Sequence, residues 1–187
     1  MSLEHSAPGS PWAEFLAELD AVLPTPVQLH CVGGFVAKFL YGLPRPTGDV
    51  DYVSVFPSQA QKELQEIAGL GSSLSKRFRL QLQYVAVNAL PEGYHARLVE
   101  MFPGRFKKLR LYGLDPYDLV LSKLERNSPK DREDVQYLAR TRHLDPRVLR
   151  ERYERELRPY LANEERHDLT LKLWLSYFER DAENMPD

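Results

Sequence analysis

Three times after Gly113 the chain repeats one punctuation, an oxygen-bearing side chain followed by proline, at Asp115-Pro116, Ser128-Pro129 and Asp145-Pro146. An Asp or Ser oxygen accepts from the open amides of a starting helix, and proline suits the first turn, where its missing N–H is not needed. Each pair predicts a helix start, and a last helix is predicted over 164–180 with Leu169, Leu173, Trp174, Tyr177 and Phe178 on its buried stripe. Strands must then come from the residues before Gly113. The chain reads as an α/β core over 1–112 with an N-terminal helix, followed by a helical region over 113–187.

The core opens with a loose Pro/Gly/Ser leader over 6–11, and Ser10-Pro11 supplies a cap and first-turn signal. The helix it starts runs to about Leu23 and carries Phe15, Leu16, Leu19, Val22 and Leu23 at helical spacing. A β-leaning run, 27–32, ends in Gly33-Gly34; a helix follows over 35–41, and Gly42 stops it. Pro44 and Pro46 stiffen the connector 43–48. The next strand, 50–55, places Asp49, Asp51 and Val53 on one face and Val50, Tyr52 and Ser54 on the other. A surface helix over 57–68, a short helical turn, a strand over 80–87, a short helix over 91–100 and a strand over 106–112 complete an α/β (α+β) domain. Its mixed sheet has about four strands flanked by helices.

Composition narrows the chemistry. Cys31 is the single cysteine, which excludes an internal disulfide and a cysteine-rich zinc site and fits a reducing, cytoplasmic setting. The five histidines have no metal-ligand spacing, the net charge of −2 gives no global pull toward nucleic acid, and no run is apolar enough for a signal peptide or a membrane span.

What remains is the stretch from Cys31 to Asp51. Glycines opening a helix leave amide N–H groups and the positive end of the helix dipole accessible to phosphate, although such a pair also serves as a plain tight turn. Two aspartates two apart on a strand project from one face, where they can converge on one or two hard divalent cations; alone, they are as readily two solvated acids. Position links the two features, because the strand carrying the acids returns to the sheet one connector beyond the glycine helix.

Gly33-Gly34 followed by Arg45-Pro46-Thr47-Gly48-Asp49-Val50-Asp51 resembles the signature of the nucleotidyltransferase superfamily, a glycine pair, a loop and D-x-D. The Arg-x-Thr-x-Asp-x-Asp form is similar to minimal nucleotidyltransferases of bacterial toxin–antitoxin and abortive-infection systems, the AbiEii-type and MenT-type proteins. A second patch, Asp115-Pro116-Tyr117-Asp118-Leu119, then Lys123-Leu124, then Asp131-Arg132-Glu133-Asp134, resembles the segment that follows the sheet in those proteins. The resemblance implies a nucleotidyltransferase-like sheet, with Gly33 and Gly34 at the triphosphate turn, Asp49 and Asp51 on Mg2+, and Lys123 on phosphate. Arg45 and Thr47 are further nucleotide-binding candidates. Asp131 or Asp134 would orient Lys123 or assist the acceptor, with Arg132 as a partner. It further implies NTP as substrate, tRNA as acceptor and a cognate antitoxin protein as partner.

Other features keep two readings. Lys130 and Asp134 are also spaced for a helix-surface ion pair. The superfamily often has a third carboxylate on a neighbouring strand, where this chain has Gln81 and Gln83; Glu100 is either a substitute or a solvated acid. Arg105-Phe106-Lys107-Lys108-Leu109-Arg110 either lines a path for RNA or guards a sheet edge, and residues 147–158 read as a solvated helix with Glu151–Arg155 and Glu154–Arg158 pairs. The missing acid also admits a weak or inactive module that binds nucleotide or a protein partner. A small-molecule nucleotidyltransferase would need an acidic acceptor pocket, of which the sequence gives no sign.

Overall fold

A computed structural model describes residues 8–86 and 90–183, with side chains up to Phe178 at the C-terminal end. It divides into two compact units: one takes the chain up to Ala86 together with Leu98–Gly113, the other the stretch ending at Arg97 and everything described from Leu114 onward.

The first unit is built on a five-stranded mixed sheet in the order β3-β2-β1-β5-β4. The strands are β1 (Val27–Cys31), β2 (Asp49–Phe56), β3 (Gln81–Tyr84), β4 (Val99–Met101) and β5 (Leu109–Gly113). β1 pairs antiparallel with β2 and parallel with β5, β2 pairs parallel with β3, and β4 pairs antiparallel with β5. Helices α1 (Trp12–Val22), α2 (Gly33–Phe39), α3 (Ala60–Ala68) and α4 (Ser73–Phe78) flank it. Trp12, Phe15, Phe35, Phe39 and Phe102 interlock edge-on or tilted, with centroids such as Trp12–Phe35 5.0 Å and Phe35–Phe39 4.9 Å apart. Aromatic pairs in these geometries add to the stabilisation from buried area.

The N-terminal helix starts without the predicted Ser10 cap: its N-cap residue is Pro11, and the amides of Trp12 and Ala13 donate to the carbonyl of Gly9. Phe15, Leu16, Leu19 and Leu23 are buried as the spacing predicts and Trp12 joins them, while Val22 alone of the predicted stripe is exposed. The leader's first residues, 6–7, and Val87 lie outside the described residues.

Two predictions between 91 and 112 are corrected. The short helix over 91–100 is a 3-10 turn, Tyr94–Arg97, followed by β4, because Val99–Met101 finds β5 as a partner. The last strand begins at Leu109 instead of Phe106, since the amides of Lys107, Lys108 and Leu109 donate to the Asp20 carboxylate at 3.1, 2.7 and 2.8 Å. β5 lies between β1 and β4, so its basic residues guard no sheet edge.

The second unit bears out the three proline-marked starts. Helices α5 (Pro116–Leu121), α6 (Pro129–Arg142) and α7 (Pro146–Arg152) each begin on the expected cap. Asp115 accepts from Asp118 N at 2.8 Å, Ser128 from Asp131 N at 3.2 Å, and Asp145 from Arg147 N at 2.8 Å. α7 runs into a π-helical turn, Tyr153–Leu157, and a 3-10 turn, Arg158–Tyr160, before α8 (Glu164–Glu183). The long arginine-rich helix predicted over 147–158 is thus interrupted. Glu151–Arg155 forms at 2.6 Å on the exposed side, while Arg158 turns to Glu164 and Asp168 instead of Glu154.

α8 buries His167, Thr170, Leu171, Trp174, Leu175 and Phe178, and leaves Leu169 71% and Leu173 43% exposed. The predicted stripe had the right period and partly the wrong phase, because burial is set by the packing of α8 on α6 and α7.

Candidate nucleotide site

β2 runs antiparallel to β1, so its first residues lie beside the end of β1, where α2 begins. A register shift between His30 and Cys31 sits at this point, and Val32 N donates to Asp51 O at 2.9 Å. The glycines are the first residues of α2, not a turn before it, and Gly33 has φ +70°. A Cβ on Gly33 would lie 2.5 Å from Asp51 Oδ2, so the carboxylate occupies the space that glycine leaves open.

Gly34 is covered by the connector. Its Cβ position lies 3.4 Å from Thr47 Oγ1 and 3.6 Å from an Arg45 guanidinium nitrogen. The Thr47 hydroxyl donates to Asp49 Oδ1 at 3.1 Å. Gly33, Gly34, Arg45, Thr47, Asp49 and Asp51 therefore meet at one end of the sheet. Asp49 and Asp51 are half-buried while Val50 and Tyr52 on the opposite face are fully buried, so β2 turns its acids away from the core.

The parallel register of β3 decides what flanks the acids. Gln81 stands beside Asp49 and Gln83 beside Asp51. Registered neighbours in a parallel pair share a face at about 4.8 Å spacing. Gln81 Nε2 donates to Gln83 Oε1 at 3.4 Å. Glu100 lies on β4, an exposed edge position three strands from β2, on the order of 14 Å away at that spacing. It is no substitute for a third acid here. Among the described residues no group of three or more His, Cys, Asp or Glu is arranged to hold a metal. Cys31, which sequence reasoning treated only as a redox indicator, is buried close enough for Asp51 to act on it. Burial pushes its thiol up, and the Asp51 charge adds to that, so it stays neutral.

The donor set fits a magnesium ion that keeps water and phosphate ligands. Two carboxylates from one strand, one of them steadied by Thr47, match the usual contribution of protein to such a site. The α2 amides and Arg45 are the groups there that could face a polyphosphate.

In the second unit Lys123 is 4% exposed and donates to Asp134 Oδ2 at 2.8 Å, with Asp131 Oδ1 at 3.5 Å. Asp134 is buried with Lys123 and is not the surface partner of Lys130. Asp131 closes the α6 capping box with Ser128 and takes two bonds from Arg126 at 2.7 and 2.6 Å. Burial alone would raise its pKa, but Arg126, Ser128 and Lys123 win and hold it well below the usual carboxylate range. Arg132 does not reach these acids: it is exposed and donates to Asn127, 3.1 Å to the side-chain oxygen.

Sequence reasoning did not single out Arg97 or Arg152. Asp118 is fully buried and accepts from Arg97 at 2.9 and 3.1 Å and from Arg152 at 3.0 Å, while Arg97 also reaches Glu156 and Arg152 reaches Asp115. Desolvation keeps the Asp118 pKa above its ordinary value despite both arginines. An aspartate in the first turn of an apolar helix was the only available signal, and its partners lie 21 and 34 residues away.

The first unit thus sets a glycine-opened helix against a D-x-D strand on a mixed sheet. A protein-family model described as "Nucleotidyltransferase of unknown function (DUF6036)" matches residues 14–183. The chain belongs to that family. No curated protein and no solved structure matches it. Among the described residues, no helix is long and apolar enough to cross a membrane.

Proposed function

We propose that the protein is a magnesium-dependent enzyme of the cytoplasm that moves a nucleotidyl group from an NTP to an acceptor, with tRNA the acceptor class. The AbiEii/MenT-like resemblance further points to a toxin–antitoxin setting with a cognate antitoxin as partner. One observation carries the reading: the Asp51 carboxylate lies against Gly33 at the start of α2, beside the Thr47–Asp49 pair.

In this reading the α2 amides and Arg45 bind the phosphates, and Asp49 and Asp51 hold Mg2+. When bound, magnesium supplies charge neutralisation on the triphosphate. An acceptor hydroxyl oxygen bonds to the α-phosphorus as the bond to the pyrophosphate oxygen breaks and pyrophosphate leaves. Gln81 and Gln83 bring no base, so the hydroxyl proton leaves to solvent or to the nearby Asp51 carboxylate.

Incubation of the protein with Mg2+, labelled NTPs and total RNA tests the proposal. Label transfer is expected, and it should vanish in Asp49→Asn and Asp51→Asn. Undiminished transfer by both variants would reject the site.

The register that sets Gln81 and Gln83 beside the aspartates also favours a second reading, a nucleotide-binding or partner-binding module with little or no turnover. Thermal-shift titration with each NTP separates them, because such a module is stabilised by ligand without releasing pyrophosphate.

A further inference from the structure

We infer that this site takes one divalent ion with its nucleotide, not two, and that Gln83 is the residue that sets this number. The inference rests on the nucleotide-site reading and refines it.

Two closely spaced divalent ions require carboxylates enough to offset their mutual repulsion and to bridge or cap both. The described residues provide Asp49 and Asp51 from a single strand, with no third His, Cys, Asp or Glu grouped with them. The positions best placed to add a ligand are those registered beside them on β3, and both are neutral amides. A glutamine carbonyl can ligate a hard ion but adds no charge, and the Gln83 carbonyl already accepts from Gln81. Two aspartates and a triphosphate suffice for one ion. Among the described residues a second ion finds no anchor, and Gln83, beside Asp51, is the position where an added charge would supply one.

Gln83 is exposed on a short edge strand, so a near-isosteric acid there leaves the core untouched. Mn2+ titration of the full chain by electron paramagnetic resonance, with a non-hydrolysable NTP analogue, reads the stoichiometry directly. The wild type should bind one Mn2+ per chain with the nucleotide, and Asp51→Asn should lose it. Gln83→Glu should bind two, with the spin–spin broadening of ions a few ångströms apart. Two coupled ions in the wild type would overturn the inference while leaving the nucleotide site standing. One ion in Gln83→Glu would overturn the role given to Gln83. If neither protein binds Mn2+ with nucleotide, the functional reading itself fails and the inference with it.

Discussion

The Oδ2 atom of Asp51 stands 2.5 Å from where a Cβ on Gly33 would be, on a residue whose φ is +70°. Gly33→Ala must strain the backbone and displace the carboxylate together, a cost of about 1–3 kcal/mol. Gly34→Ala meets Thr47 Oγ1 at 3.4 Å, a contact that a small adjustment accommodates. Denaturant melts should show a clear loss for Gly33→Ala and little change for Gly34→Ala. Stabilisation by Mg2+ with NTP should disappear in the first.

Lys123 neutralises two buried carboxylates of its own unit. Lys123→Met leaves Asp134 without its ammonium partner and should destabilise by about 3–5 kcal/mol. Adding Asp134→Asn removes the buried charge that Lys123 balanced and should recover part of the loss. Urea unfolding of the two variants measures this, and a double variant no better than the single one would deny the coupling.

Asp20 links α1 to the approach of β5 through three backbone amides. Partial burial pushes its carboxyl up, but the amides of Lys108, Leu109 and Lys107 prevail and its pKa is lowered. A lowered folded pKa adds stability that is present above the unfolded value and is lost as pH falls through the folded one. Asp20→Ala removes its three bonds to backbone amides and should cost about 1–3 kcal/mol at neutral pH. The gap from wild type should narrow below about pH 4, where the unfolded carboxyl protonates. A gap independent of pH would mean that the charge plays no part.

The face of α8 is testable by contrast. Trp174 is fully buried, and Trp174→Ala should cost about 3–5 kcal/mol. Leu169→Lys, at a 71% exposed position, should change stability by about 0.5 kcal/mol or less. Thermal denaturation of the two variants reports which face packs.

Much of the architecture was legible because its signals act within a few residues. Asp115, Ser128 and Asp145 each bond to an amide two or three positions ahead, and the proline beside each needs no distant partner. The alternation around Asp49 and Asp51 likewise follows from strand geometry alone. Tertiary structure alone decided the pairings and the faces. It set Gln81 and Gln83 beside the aspartates, made 99–101 a strand by giving it β5, and turned Trp174 inward while leaving Leu169 out. It also brought Asp20 to amides nearly ninety residues away, and Arg97 to Asp118. Register and burial depend on which distant segment arrives, and a chain's local preferences contain no record of that choice.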